Sequence, residues 1–142
     1  LLVIERNMGL NDISATGIQI DGIITADFLL NVFIVNTPLH DGAAVIRGNR
    51  LIAAGCLLPL TENRSLSTEL GTRHRAAIGL SEQCDALVVV VSEETGTVSV
   101  AENGHIMRHL DIETLKAMLM PAFESSKTKN IKDMVKNWRK KK

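Results

Sequence analysis

Ala86-Leu87-Val88-Val89-Val90-Val91 is six apolar residues without a break, four of them valine. β-Branched side chains favour an extended backbone. A run that is apolar at every position, not at every second one, predicts a strand buried on both faces. Such a strand sits inside a sheet covered by helices on either side.

The flanking segments agree. Upstream, Arg73–Gln83 fits a helix with Ala76, Ala77 and Leu80 on its inner face. Before it lies a polar loop, 59–71, with a short helical turn expected to end at Gly71. Ala43–Ile46 and Leu51–Leu58 are apolar runs joined by Arg47-Gly48-Asn49-Arg50, whose central pair tolerates the positive φ of a hairpin turn. Phe28, Leu29, Val32 and Phe33 share one helical face. Thr25 or Ala26 is expected to open that helix and Thr37-Pro38 to end it. Within Ile13–Asp21, the stretch Thr16–Asp21 alternates weakly as a strand, with Asp21-Gly22 as its closing turn. Leu1–Glu5 is a short buried strand. Downstream, Glu93–Gly96 turns the chain, Thr97–Ala101 alternates as a strand, Asn103-Gly104 turns again and His105–Leu110 returns. Asp111 is expected to cap a last helix, with Leu115, Met118 and Leu119 on its apolar face and Pro121 ending or kinking it. Hairpins and longer crossovers together predict one α/β domain, a twisted mixed β-sheet flanked by helices.

Composition narrows the function. The 142 residues suffice for one domain, and 45% hydrophobic content suffices for its core. Charge balances overall, with 16 basic and 16 acidic residues. Its distribution is uneven, because eight of the basic residues fall between Lys127 and Lys142, where Asp133 is the one acid. That basic stretch is a solvated helix, or else a contact for nucleic acid or anionic lipid. Cys56 and Cys84 fit no metal spacing and suit buried free thiols in a reducing compartment. No apolar run reaches the ~18 residues of a membrane span, and no signal peptide is visible. Tyrosine is absent and Trp138 lies in the tail, so a nucleic-acid module built on base stacking is unlikely on composition. There is no Walker phosphate loop, no dinucleotide fingerprint and no Ser-His-Asp ordering.

Three segments carry chemistry. Asp41-Gly42-Ala43 enters an apolar strand from a proline-containing loop. A carboxylate there can hold a divalent cation or accept a hydroxyl proton, and Gly42 lets a ligand approach the backbone. A plain Asp-Gly turn is the alternative. His40 beside it is a metal ligand or a loop histidine bonded to the backbone. Gly71-Thr72-Arg73-His74-Arg75 starts a helix, with Thr72 expected as its cap. Two arginines in a first turn oppose the helix dipole, and a sequence that breaks this rule generally has an anion there to offset it. Pairing of Arg73 and Arg75 with Glu62, Glu69 or Glu82 is the alternative. Ser92-Glu93-Glu94-Thr95-Gly96 leaves the carboxyl end of the most buried strand, where α/β sheets gather ligands. A serine there can donate to phosphate and a glutamate can take a metal.

In this order and spacing, the three segments resemble the bacterial diadenylate cyclase domain, in its membrane-anchored form, from about Leu1 to the helix near Ala122. The resemblance implies residues 1–122 as the cyclase domain, its start truncated, and 123–142 as a basic tail. It implies condensation of two ATP into cyclic di-AMP and two diphosphates, with Mg2+ or Mn2+, across a face-to-face homodimer. By position, Asp41 would aid deprotonation of the 3′-hydroxyl, and Gly42 and Ala43 would shape the ribose and phosphate contact. Gly71, Thr72, Arg73, His74 and Arg75 would hold phosphates, with Ser92 and Glu93 at the terminal ones. Asp41, His40 and Glu94 are the implied metal ligands. The adenine would lie by Gly55, Leu57 and Leu58, with Leu57 where some relatives place a stacking tyrosine. The longer protein would be anchored in the bacterial membrane with this domain on the cytoplasmic face, and the present stretch would be a soluble piece of it. A catalytically idle module that senses ATP or cyclic di-AMP is the alternative function.

Overall fold

The computed structural model describes residues 1–140. Seven strands form one sheet: β1 (Leu2–Ile4), β2 (Ile18–Ile23), β3 (Ala43–Arg47), β4 (Arg50–Cys56), β5 (Leu87–Val91), β6 (Val98–Glu102) and β7 (His105–Met107). Four helices join them: α1 (Asn11–Ser14), α2 (Ala26–Val32), α3 (Thr72–Gln83) and α4 (Ile112–Lys140). The spatial order is β2-β4-β3-β1-β5-β6-β7. β1 runs parallel to β3 and antiparallel to β5, and the other neighbours are antiparallel, so the sheet is mixed as expected.

Side chains alternate across a strand, so each central strand feeds two cores. Val3, Val45, Val88 and Val90 pack on one face with Ala77, Ile78 and Leu80 of α3. Ile4, Ile46, Leu87, Val89 and Val100 pack on the other with Phe28 of α2 and Leu115, Met118 and Leu119 of α4. Each fully buried aliphatic side chain contributes about 1.5–3 kcal/mol of transfer free energy, which explains why the valine run is inside. The deepest position is nonetheless that of β1, which is wedged between β3 and β5.

Local signals held where the determinant is local. Thr25 caps α2, its Oγ1 accepting from the Phe28 amide at 3.0 Å. Asp111 caps α4, its Oδ1 accepting from the Thr114 amide at 2.7 Å. Gly48, at φ 60°, turns the β3–β4 hairpin.

Five details differ from expectation. Asp21-Gly22 lies inside β2 and does not end it. Asp21 takes φ 56°, the β2–β4 register shifts between Gln19 and Gly22, and pairing resumes at Gly22↔Leu51. The left-handed residue is absorbed in a bulge, held by Arg50 Nε donating to Asp21 Oδ1 at 2.6 Å. Just before the expected strand, Asn11–Ser14 forms helix α1, which the sequence pattern did not signal. α2 stops at Val32, well before Pro38, because a proline restricts only the residue preceding it; Asn36, at φ 67°, turns the chain in between. The stretch before Gly71 is a turn, with Leu70 N–H donating to Ser67 O at 3.2 Å, and not a helical turn. Pro121 does not end α4, which continues to Lys140. Proline removes one helical hydrogen bond, and the packing of Met118, Leu119, Ala122 and Phe123 against the sheet holds the helix on both sides of it. Lys141 and Lys142, the end of the basic run, lie outside the described residues.

Candidate functional site

The register brings the three chemical segments to one end of the sheet. Leu2 of β1 pairs with Ala44 of β3 on one side and with Val89 of β5 on the other. The Ala44 amide donates to Leu1 O at 3.0 Å. The entry to β3, where Asp41-Gly42-Ala43 stands, therefore lies at the same edge as the exit of β5, where Ser92 stands. Ala43 faces Cys56, which puts the exit of β4 there too.

Helix α3 delivers its N-terminus to the same edge. Gly71, not Thr72, is the N-cap, with extended backbone and no side-chain cap. The first helical bond is Arg75 N–H to Gly71 O at 3.1 Å. The Thr72, Arg73 and His74 amides thus lack intrahelical acceptors and form an electropositive cradle. Arg73 Nη2 reaches Glu93 Oε1 at 2.6 Å, tying α3 to the loop after β5. Between them opens a cleft of about 270 Å³ lined by Glu69, Gly71, Thr72, Arg73, His74, Val91, Ser92, Glu93 and Glu94. Seven of these were expected as site residues; Glu69 and Val91 were not.

The remaining expected residues lie outside this lining. Arg75 turns away and donates from Nε to Leu70 O at 3.3 Å. Asp41 is exposed, with no partner for its carboxylate among the described residues. Gly42 takes φ 88°, and a Cβ there would stand 2.6 Å from Cys56 O, so the β4 exit demands glycine at this position. Gly55, at φ 67°, lets β4 bend under the Asp41 loop. The Leu57 amide donates to Thr16 Oγ1 at 2.9 Å and its side chain is 70% exposed, whereas Leu58 packs on the core. His40 Nδ1 lies 2.8 Å from Thr37 O and donates to it, which fixes the ring.

The donors suit a hard cation only in part. No group of three or more His, Cys, Asp or Glu side chains converges among the described residues. Asp41 and Glu94 are exposed carboxylates without partners among the described residues. That chemistry fits a divalent ion completed by phosphate oxygens and not an all-protein cage.

Burial, then the nearby Arg108 guanidinium, push the His74 imidazole below its ordinary value of 6.5. The unfolded chain therefore binds this proton more readily than the folded one. The resulting stability is present above about pH 6.5 and lost as pH falls through the depressed folded value. Thermal midpoints should drop on mild acidification, and His74→Gln should flatten that slope in a pH series. An unchanged slope would remove His74 as the titrating group.

Residues 1–106 match the family model described as DisA bacterial checkpoint controller nucleotide-binding. The cyclic di-AMP synthase CdaA of Bacillus subtilis (strain 168) is 50% identical over 145 residues, covering all of this chain and 52% of that protein. A diadenylate cyclase of Listeria monocytogenes serotype 1/2a is 46% identical over 120 residues, covering 84% of this chain and 44% of the relative. The chain spans about half the length of the curated relatives it matches. Among solved structures, a double mutant of DacA from Staphylococcus aureus superposes with TM-score 0.83 at 45% identity, covering 86% of this chain and 81% of that one. A Bacillus cereus protein titled a hypothetical membrane spanning protein gives TM-score 0.74 at 46% identity, covering 78% and 54%.

Proposed function

Since the chain belongs to the diadenylate cyclase (DAC) family, we propose that it condenses two ATP into cyclic di-AMP and two diphosphates. The observation that carries the proposal is the convergence, at one sheet edge, of a helix N-terminus bearing Arg73, the Ser92 loop and an unpartnered Asp41 carboxylate. Residues 1–122 would form the catalytic unit, with the basic stretch 123–142 outside it.

In this reading the α3 amides and Arg73 hold the phosphates, and Ser92 donates to the terminal ones. Arg73 exchanges Glu93 for phosphate, trading one charge-assisted bond for another. Asp41, free of any internal partner, orients the 3′-hydroxyl and takes up its proton. The adenine lies by Gly55–Leu58, where exposed Leu57 offers aliphatic cover. A bound Mg2+ or Mn2+ would neutralise phosphate charge, with Asp41 and Glu94 as its carboxylate ligands and His40 a further candidate. Each copy would hold one ATP in this cleft, and the product has two-fold symmetry, so two copies would meet face to face. Each would then present its 3′-hydroxyl to the partner's α-phosphate, and positioning would supply much of the rate.

No helix among the described residues is long and apolar enough to cross a membrane. The matched relatives are about twice as long, which leaves room elsewhere for an anchor. The domain would then work on the cytoplasmic face, where ATP is.

The test is incubation with ATP and Mn2+ or Mg2+, with products resolved by mass spectrometry. Cyclic di-AMP supports the proposal; ATP binding without product, even in an enforced face-to-face dimer, would indicate a sensor. Arg73→Ala is expected to weaken ATP binding by roughly 1.5–3 kcal/mol, about 10–150-fold, the worth of one charged hydrogen bond. Unchanged affinity in calorimetry would take Arg73 out of the phosphate site.

A further inference from the structure

Helix α4, 29 residues long, changes character partway along. Its first part packs on the sheet through Leu115, Met118, Leu119, Ala122 and Phe123. The first four of these share one stripe of the helix, at 100° per residue. Continued along that stripe, the sequence places Ser126, Lys129, Asn130 and Asp133. The core-facing pattern therefore stops near Phe123, while the helix runs on to Lys140. Those last seventeen residues make roughly 25 Å of helix at 1.5 Å each.

Apolar positions return on the other side. Ile131, Met134, Val135 and Trp138 recur at i, i+3, i+4 and i+7, a second stripe roughly 160° around the helix from the first. It cannot be a continuation of the face that packs on the sheet. Val135 is 44% exposed and Trp138 60%. Beside this stripe, Lys129, Lys132, Lys136, Arg139 and Lys140 fall within an arc of about 100°.

Charge selects what covers the second stripe. From Lys127 to Lys142 there are eight basic residues and one acid, Asp133, whereas residues 1–126 hold eight basic and fifteen acidic. A second copy of this helix would bring two strongly basic segments together, and like charges oppose that pairing. A nucleic acid would satisfy the lysines through its phosphates but would leave the apolar stripe in water. An anionic bilayer satisfies both: its headgroups meet the basic arc, and the boundary with the acyl chains takes the apolar stripe, with tryptophan suited to that interface. No helix among the described residues is long and apolar enough to cross a membrane, which fits a segment lying in the surface plane.

We infer that the end of α4, from Lys127 onward, is an amphipathic docking helix for an anionic lipid surface. Ile131, Met134, Val135 and Trp138 form its buried stripe, and the neighbouring lysines and Arg139 meet the headgroups. The inference is independent of what the cleft binds.

Trp138 is the one tryptophan of the chain, so its emission reports on the docking segment alone. The test measures that emission and co-sedimentation with vesicles of phosphatidylcholine, with and without phosphatidylglycerol. Docking gives a blue shift and pelleting with the anionic vesicles, and neither with phosphatidylcholine alone. Lys132→Glu/Lys136→Glu should weaken binding roughly 25-fold or more, at about fivefold per basic residue lost. Val135→Asp should weaken it about tenfold or more and reduce the blue shift. Both variants should keep the thermal midpoint of the unmodified chain; a lowered midpoint would place these residues in the fold and overturn the inference. Failure to bind anionic vesicles overturns it, as does binding without a blue shift, which would be charge attraction with no apolar contact. Tighter binding to a DNA duplex than to the vesicles would make the segment a nucleic-acid contact instead. Self-association that Val135→Asp abolishes, with no vesicle binding, would assign the stripe to a second copy.

Discussion

Asp41→Asn is expected to lower cyclic di-AMP formation by about 10²–10⁴-fold, the usual worth of a positioned general base, while ATP still binds. The asymmetry follows from where Asp41 stands. It lies at the entry to β3, at the same end of the sheet as the cleft but outside its lining. Its carboxylate has no partner among the described residues, so the isosteric amide breaks no contact there and the fold should be unaffected. The backbone demand at this turn falls on Gly42, whose Cβ would meet Cys56 O. The substitution therefore removes a charge and a proton acceptor and little else. Product quantified by mass spectrometry beside ATP affinity from calorimetry checks both halves. Wild-type turnover would strike Asp41 from the mechanism; lost ATP binding would move it into the binding site.

Gly79→Ala should destabilise the fold by roughly 2–3 kcal/mol, despite the alanine's better helix propensity. Propensity favours alanine by only about 1 kcal/mol. Against it, a Cβ at this position would overlap Pro59 O and stand 2.7 Å from Thr61 N and 2.8 Å from Leu60 C. All three are backbone atoms, so no side chain can swing aside. The 59–61 segment crosses α3 here and is bonded to it, Thr61 N–H donating to Arg75 O at 3.1 Å. Pushing that segment away would break this bond and disturb the first turn of α3, which lines the cleft. The thermal midpoint should fall by roughly 5–10 °C, with ATP affinity falling too. A midpoint within a degree of the unmodified chain would show that the crossing yields at no cost.

The segments that the fold gathers at one end of the sheet were readable along the chain. Arg73, His74 and Arg75 in a first turn break a rule of helix electrostatics, and such a violation is visible in any sequence. Ser92 was flagged by the valine run before it, since the end of a buried strand is where ligands gather. The caps at Thr25 and Asp111 and the Gly48 turn were equally legible, because each is set within three or four residues. The cap of α3 shows the limit of that reading. Thr72 has the better side chain, yet the loop leaving Leu70 brings Gly71 to the extended cap position, and no hydroxyl is used.

What no spacing could reveal is which side chains meet across distance. Glu69 looks like one more polar loop residue until its pairing with Arg108, 39 positions later, places it on the cleft wall. Arg108 itself has no motif around it. Gly79 reads as a weak spot in a helix until a loop backbone is found against it.

By itself, then, the sequence determined the types of the longer elements, the buried central strand, the three chemical segments and the family they resemble, since these depend on side-chain period, backbone preference and order along the chain. The tertiary structure decided that Leu2–Ile4 lies between β3 and β5, that this placement sets Asp41 and Ser92 at one end of the sheet, and that Arg73 meets Glu93 while Arg108 meets Glu69. Those facts are pairings between residues remote in sequence. They are fixed by which surfaces bury best against one another, a competition that involves the whole chain at once.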